Sequence, residues 1–460
     1  MQESPKLLPK LTLFSATMIV MGSIIGSGIF KKMAPMSMKL HSGPLILICW
    51  LIAGLITLLG ALTFAEIAGR MAQTGGVYVY LRKVYGDLTG FIFGWSCFTI
   101  IQTASIASIA FVFAEAFLRL MPFSLAGIEV KVVAITAIWL LTAINYMGVL
   151  FGAWVINVFT VLKILGIGAI IFLGFAYGSH TPENFTLAYD SATPPLTWNI
   201  VPLMFTAMLG AFWAYDGMVN LAYIGGEVKN GAKNIPRSFI IGVLGVIAIY
   251  VLVNVSFLYA MPLSDTLAVA EKPGSIFALE MTQMIGGHFW VLFVSVLIAV
   301  STFGATNGSL MASPRIYYAM AQDGLFFRKF SRVHSLYHTP TFALIAQALW
   351  ASCLIFLGNF DDLTDMLIFA SFIFYGLSAV GLLLLRRRRI GAPLFKVPTW
   401  VPVFYAIFCA LMVAMNVYEY PKQTVVGCLL IGSGLPVYYW LKKTAKQMPG
   451  RNRNFVKKPN

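Results

Sequence analysis

Apolar residues run through this chain in blocks, from the first dozen residues almost to the end, and polar residues gather in the short intervals between blocks. A helix of about 20 apolar residues crosses the hydrocarbon core of a bilayer. On that rule the pattern predicts an all-α integral membrane protein with twelve spanning helices, at roughly 11–30, 43–66, 89–118, 132–147, 151–176, 198–223, 238–261, 285–312, 341–358, 363–385, 400–417 and 423–441. No interval between them is long enough for a soluble domain. Residues 1–10 read as a short N-terminal arm and 442–460 as a basic tail. The first block opens with Pro5, Lys6, Pro9 and Lys10, and no cleavage-like site follows it, so it is expected to be a retained helix and not a secretory signal.

Two blocks are interrupted where a spanning helix should be most regular. Gly22-Ser-Ile-Ile-Gly-Ser-Gly-Ile-Phe30 sets three glycines and two serines into the first, and Gly210-Ala-Phe-Trp-Ala-Tyr-Asp-Gly217 sets two glycines and a carboxylate into the sixth. Unwound backbone at membrane depth must be buried in protein or line a wet cavity, because hydrocarbon offers its amides and carbonyls no partner. Amides freed at the start of a half-helix after Gly28 face an anion, and carbonyls freed at the end of a half-helix near Ile24 face a cation. A free amino acid carries both charges. Breaks five helices apart imply an inverted repeat of residues 11–178 and 198–386, with residues 398–441 forming two further helices. An odd number of helices per unit brings the second copy in from the opposite side, which sets two related gates around one site and makes alternating access natural. The competing reading is structural, with Gly22 and Gly26 as a small-xxx-small packing face and Gly210 and Gly217 as simple kinks.

Charge supplies the topology. Of 32 Lys and Arg residues, 24 fall in the segments that are inside if both termini are cytoplasmic, 7 fall in the opposite loops, and Lys163 lies within a span. Lys31, Lys32 and Lys39 run against the rule, since they follow the first helix on what would be the outside. The net charge of +15 therefore reads as membrane orientation and not as nucleic-acid binding. Arg386 to Arg389 and the tail lysines and arginines sit beside spans, where anionic lipid is the expected neighbour. The five cysteines, Cys49, Cys97, Cys353, Cys409 and Cys428, all fall in apolar blocks, which argues for small buried hydrophobes and against a disulfide framework. His334 and His338 have i, i+4 spacing, but Ser335 stands where a metalloprotease helix needs its glutamate, so no metal is expected. No nucleophile and base constellation appears, and the chain reads as a non-enzyme without a cofactor.

Gly22 to Phe30, Phe64-Ala-Glu-Ile67, Thr74-Gly-Gly-Val-Tyr-Val-Tyr80, Trp213-Ala-Tyr-Asp-Gly217, Glu227-Val-Lys-Asn-Gly-Ala-Lys-Asn-Ile-Pro236 and Thr306-Asn-Gly-Ser309 occur in this order. Together they resemble the amino acid-polyamine-organocation superfamily, and within it the L-amino acid transporter branch, over roughly residues 8–440. Gly231 and Met218 depart from a proline and a tryptophan common in that family. The resemblance implies a leucine-transporter-type fold of five plus five inverted helices with two appended, discontinuous helices one and six, and amino acid exchange. It also implies a site. Ser27, through hydroxyl and amide, and the Gly28 amide would hold the substrate carboxylate, and carbonyls around Ile24, Trp213 and Asp216 would hold its ammonium, with Gly26, Ala214 and Asn220 completing the set. Trp213 would be the gating lid, its plainer role being a packed core tryptophan.

Lys163 lies too deep in helix five for easy snorkelling, and an ionisable residue there is a functional candidate. By resemblance its ammonium stands where sodium-coupled relatives bind sodium, with Ser309 of helix eight and a Gly26 carbonyl as neighbours, which implies sodium independence. The alternative is a lysine that fastens helix five to its neighbours. Asp216 either faces the pocket and attracts a basic side chain or braces unwound backbone; similar strings occur in carriers of basic and of neutral amino acids, and neutral substrates come first. Asn220 and Asn307 suit a neighbouring helix as well as a substrate. Glu66 with Arg70, and Glu115 with Arg119, have helix-pair spacing. Animal members of the family carry a heavy subunit on a cysteine between helices three and four; the interval Arg119 to Lys131 has none, so no disulfide-linked partner is expected. The sequon Asn184-Phe-Thr186 would face outward.

Overall fold

Residues 9–121, 127–186, 200–272, 275–357, 360–391 and 393–447 are described by a computed structural model. Among them the regular structure is helical: α1 (Leu13–Ile24), α2 (Gly28–Lys31), α3 (Met33–Leu40), α4 (Gly43–Arg70), α5 (Val77–Tyr85), α6 (Asp87–Ser96), α7 (Gln102–Leu118), α8 (Gly127–Tyr146), α9 (Val149–Tyr177), α10 (Ile200–Tyr215), α11 (Asn220–Tyr223), α12 (Gly231–Ala260), α13 (Leu263–Ala270), α14 (Phe277–Gly286), α15 (His288–Ala312), α16 (Pro314–Gln322), α17 (Thr341–Leu357), α18 (Phe360–Arg387), α19 (Trp400–Glu419), α20 (Pro421–Gly432) and α21 (Gly434–Gln447). A wider turn at Cys97–Ile101 joins α6 and α7 into one span. Ten segments of the described residues are long and apolar enough to cross a membrane, and α10 and α17 are shorter apolar helices at the places expected of the sixth and ninth.

Both breaks are present. α1 stops at Ile24 and the chain restarts as helix at Gly28, while α10 stops at Tyr215 and four turn residues precede α11. The twelfth expected segment also divides, at Ser433, into α20 and α21. Helix continues where loops were expected, as α3 after the first block, α5 after the second, and α13 and α14 ahead of α15. The breaks sit at the centre of the packing. α1 packs on α9, α12 and α15, and α10 on α4 and α3, while α4 with α12, α7 with α15 and α18 with α19 make the broadest helix contacts. Small residues permit this closeness: a Cβ added at Gly22 would lie 2.3 Å from the Thr160 hydroxyl of α9, and one at Gly242 would lie 2.6 Å from Val20.

One sequence expectation about charge is corrected and another is extended. Glu115 does not pair with Arg119: its Oε2 accepts from Lys31 Nζ at 2.8 Å, while Arg119 lies 3.9 Å from Glu280. A lysine brought across by α2 lies closer to the carboxylate than an arginine one turn along the same exposed helix face. The Glu66–Arg70 pair forms, and tertiary contact enlarges it, for Arg386 and the Val397 amide bind the same buried carboxylate. Among cysteines only Cys49, Cys97 and Cys409 are buried, whereas Cys353 and Cys428 are exposed on the outer faces of their helices. The sequon residue Asn184 is buried, donating its side-chain amide to carbonyls of Leu258 and Met261. Most of the expected N-terminal arm, the loop residues 122–126 and most of the basic tail lie outside the described residues.

Candidate functional site

Glycine sets the distance between the breaks. A Cβ on Gly28 would fall 2.5 Å from Cα and Cβ of Ala214, and one on Gly217 would fall 2.6 Å from the Ser23 carbonyl. Gly217 also has φ +101°, a conformation that side chains resist. Each break thus carries a glycine at its closest approach to the other. Between them, with Ser105 and Ile109 of α7, they form a small hollow lined by Ser23, Ile24, Gly26, Ser27, Gly28, Trp213, Asp216 and Gly217.

Several polar groups of this hollow have no hydrogen-bond partner among the described residues. Among the described residues the amides of Gly26, Ser27 and Gly28 find no backbone acceptor. The hydroxyls of Ser23 and Ser27 and the indole Nε1 of Trp213 are buried without a partner. Buried donors are normally bonded, so these groups are available to a polar ligand in the hollow. Trp213 meets Phe360 edge to face at 5.9 Å, and the ammonium groups of Lys31 and Lys32 stand 4.6 and 4.9 Å from the centre of that ring. Asp216 accepts the Tyr375 hydroxyl on Oδ1 at 2.7 Å and separates the hollow from a second small one lined by Thr57, Phe212, Tyr215, Phe372, Tyr375 and Tyr405.

The freed carbonyls are gripped from behind. Lys163 of α9, 1% exposed, donates Nζ to the carbonyls of Gly22 at 2.9 Å and Ile25 at 2.6 Å. These carbonyls lie three residues apart at the C-terminal end of α1, where a cation offsets orphan acceptors and the helix dipole together. Tyr250 of α12 places its hydroxyl 3.1 Å from the Ile24 carbonyl and 2.9 Å from the Ala214 carbonyl, so one side chain spans both breaks.

Two broken helices that present bare amides and hydroxyls to one buried hollow, backed by an intramembrane ammonium, suit a small zwitterion, and a family model described as amino acid permease matches residues 11–441. The chain belongs to the amino acid permease family. It is 33% identical over 439 residues to the serine/threonine exchanger SteT of Bacillus subtilis, covering 94% of this chain and 96% of that one. It is 31% identical over 466 residues to the b(0,+)-type amino acid transporter 1 of Homo sapiens, covering 96% and 92%, and 30% identical over 438 residues to the large neutral amino acids transporter small subunit 2 of Mus musculus, covering 94% and 81%. The family and these relatives are transporters and not enzymes.

Of the residues singled out in this permease from its sequence, Ile24, Gly26, Ser27, Gly28, Trp213 and Asp216 come together around the hollow. Ala214 lies behind it, against Gly28 and Tyr250. Asn220 opens α11 and accepts from Gln102 of α7, and Asn307 bonds Asn145 and the Gly152 carbonyl, so both serve helix contacts. The carbonyls on Lys163 are those of Gly22 and Ile25, not that of Gly26, because the pair three residues apart shares the face turned to α9. Ser309 is buried in α15 with its carbonyl committed to Ser313, and no hydrogen bond joins it to Lys163 among the described residues. Sequence reading passed over Ser23, Ser105, Tyr250 and Tyr375. A buried tyrosine carries no periodic signal; Ser105 could have been flagged as one of several small polar residues in an otherwise apolar span.

Proposed function

We propose that this permease is a sodium-independent exchanger of L-amino acids, neutral ones before cationic ones, that works by alternating access as a multi-pass protein of the cell membrane with both termini cytoplasmic. In this reading the twelve apolar blocks form a leucine-transporter-type arrangement, with residues 11–178 and 198–386 as inverted repeats and 398–441 appended. The observation that carries it is the hollow between the two breaks. A carboxylate stripped of water needs several donors in exchange, and the Ser27 hydroxyl with the amides of Gly26, Ser27 and Gly28 supplies them. The substrate ammonium goes to the carbonyl side, around Ile24, Trp213 and Asp216, with Trp213 as lid. Lys163 takes the place of a coupling cation, since its ammonium already occupies two of the carbonyls that a sodium ion would need. Ser309 and Asn220 act as supports of that arrangement. The lysine and arginine asymmetry sets the orientation. With no cysteine between Arg119 and Lys131 the carrier needs no disulfide-linked subunit.

Counterflow in proteoliposomes tests this. Labelled serine or alanine is expected to enter only vesicles preloaded with unlabelled amino acid, at the same rate with sodium or choline outside. Entry into empty vesicles driven by a sodium or proton gradient would overturn exchange. Asp216 favours a second reading, a carrier of arginine and lysine: its carboxylate lines the hollow, and among the described residues no lysine or arginine forms an ion pair with it. Competition by arginine and lysine in the same assay separates the two.

A further inference from the structure

Outside the hollow, Glu227 and Arg315 form an ion pair with both side chains only 1% exposed, Arg315 Nε lying 2.8 Å from Glu227 Oε1. Arg315 Nη1 also donates to the Met311 carbonyl, capping the end of α15. The backbone around Glu227 is a hub. Its carbonyl accepts the amides of Lys10 and Leu11, both at 2.9 Å, and the Lys229 amide returns to the Leu11 carbonyl, so the strand leading into α1 is laced to the segment leaving α11. Two residues before that segment the Tyr223 carbonyl accepts the Gly75 amide. The starts and ends of the two broken helices are thereby tied together on one face, and a single buried ion pair ties both to α15.

We propose that Glu227 and Arg315 form the latch of the gate on this face, holding the inner end of α11 and the approach to α1 against α15 until the carrier opens there. This rests on the alternating access proposed above. The pair bridges a seam between helices: α1 packs on α12 and α12 on α4, α15 packs with α7, α8 and α17, and α1 and α11 meet α15 along the seam that the ion pair closes. Parting the seam at this face requires the Glu227–Arg315 contact to part, whereas the backbone lacing within Lys10–Lys229 can travel with α1 and α11. Opening therefore gives up the charge-assisted hydrogen bond between Arg315 Nε and Glu227 Oε1, and that loss, net of the hydration the parted charges regain, holds the gate shut until a substrate-filled site shifts the equilibrium.

Cys97 reports on the gate. It is buried beside Tyr223 of α11, and its carbonyl accepts the Tyr317 hydroxyl of α16. With Cys49, Cys353, Cys409 and Cys428 replaced by alanine, labelling of Cys97 by a water-soluble maleimide is followed in detergent. Glu227→Gln is expected to raise the labelling rate about tenfold, the size of shift that a broken two-state restraint produces, and Arg315→Lys to stay near the parent. Lys10→Pro, which removes one lacing amide on an exposed residue without touching the buried charges, is expected to stay near the parent, because the lacing moves with α1 and α11. Equal rates in Glu227→Gln and parent overturn the latch. If Glu227→Gln yields no folded protein, Glu227→Asp, which keeps the charge but draws it back from Arg315, is read in its place, and an unchanged rate there overturns the latch. Flat labelling in a working exchanger removes only the latch, whereas absent counterflow with responsive labelling removes only the exchange reading.

Discussion

A lysine in the middle of a bilayer is expensive on insertion scales, about 2.5–3.5 kcal/mol, so its retention at position 163 calls for a compensating contact. The contact is the pair of carbonyls at the end of α1. Hydrogen bonds to a charged group contribute about 1.5–3 kcal/mol each, and two of them offset the insertion term and leave α1 ending where it does. Lys163→Ala is therefore expected to reach the membrane in normal amount and to exchange at least tenfold more slowly, because the carbonyls of Gly22 and Ile25 lose their cation and the break loses its shape. Full counterflow by the alanine variant in liposomes would remove Lys163 from the mechanism. The depth of this residue was readable from its apolar neighbours; its partners were not, since which carbonyls face α9 depends on where α1 stops.

At the scale of elements, the unit of function is the pair of interrupted helices. Glycine spacing in blocks one and six made both interruptions legible, because glycine and serine at membrane depth oppose a continuous helix. The complementarity between the breaks was not legible, since it is a distance between residues nearly two hundred positions apart. Gly217→Ala tests that complementarity at a backbone of φ +101° with the Ser23 carbonyl 2.6 Å from the added carbon. Backbone strain and overpacking together amount to about 1–3 kcal/mol each, so a melting temperature several degrees lower in detergent is expected, together with loss of substrate-induced stabilisation. Gly168, which has open space around its Cβ position, is the control, and Gly168→Ala is expected to melt like the parent. Loss of substrate-induced stabilisation in both variants alike would show that the contact between breaks is not special.

Over the whole molecule, charge acts in two ways that composition could not separate. Most of the 32 basic residues lie where the orientation rule puts them, yet several have structural duties. Arg386, read from sequence as part of a lipid-facing run, is turned inward with Arg70 onto Glu66, and the Val397 amide joins them there. One carboxylate thus fixes the ends of α4 and α18 and the segment before α19. Removing one partner of a buried ion pair strands the others, at about 3–5 kcal/mol, so Glu66→Gln is expected to lose most of its thermal stability while Arg387→Gln, at an exposed position of the same run, melts within a degree or two of the parent. Equal stability of the two variants would contradict this role.

Membrane class, the number of apolar blocks, the positions of both interruptions and the family resemblance follow from order along the chain, because hydropathy, helix-breaking residues and short motifs are local properties. Tertiary contact alone chose the Glu115 partner as Lys31, recruited Tyr250 and Tyr375 to the breaks, turned Asn220 and Asn307 to neighbouring helices, and joined Glu227 to Arg315. Hydrogen bonds and ion pairs reach only a few ångströms, so a side chain's partner is whatever the packing of distant helices brings within that reach, and one-dimensional order carries no record of it.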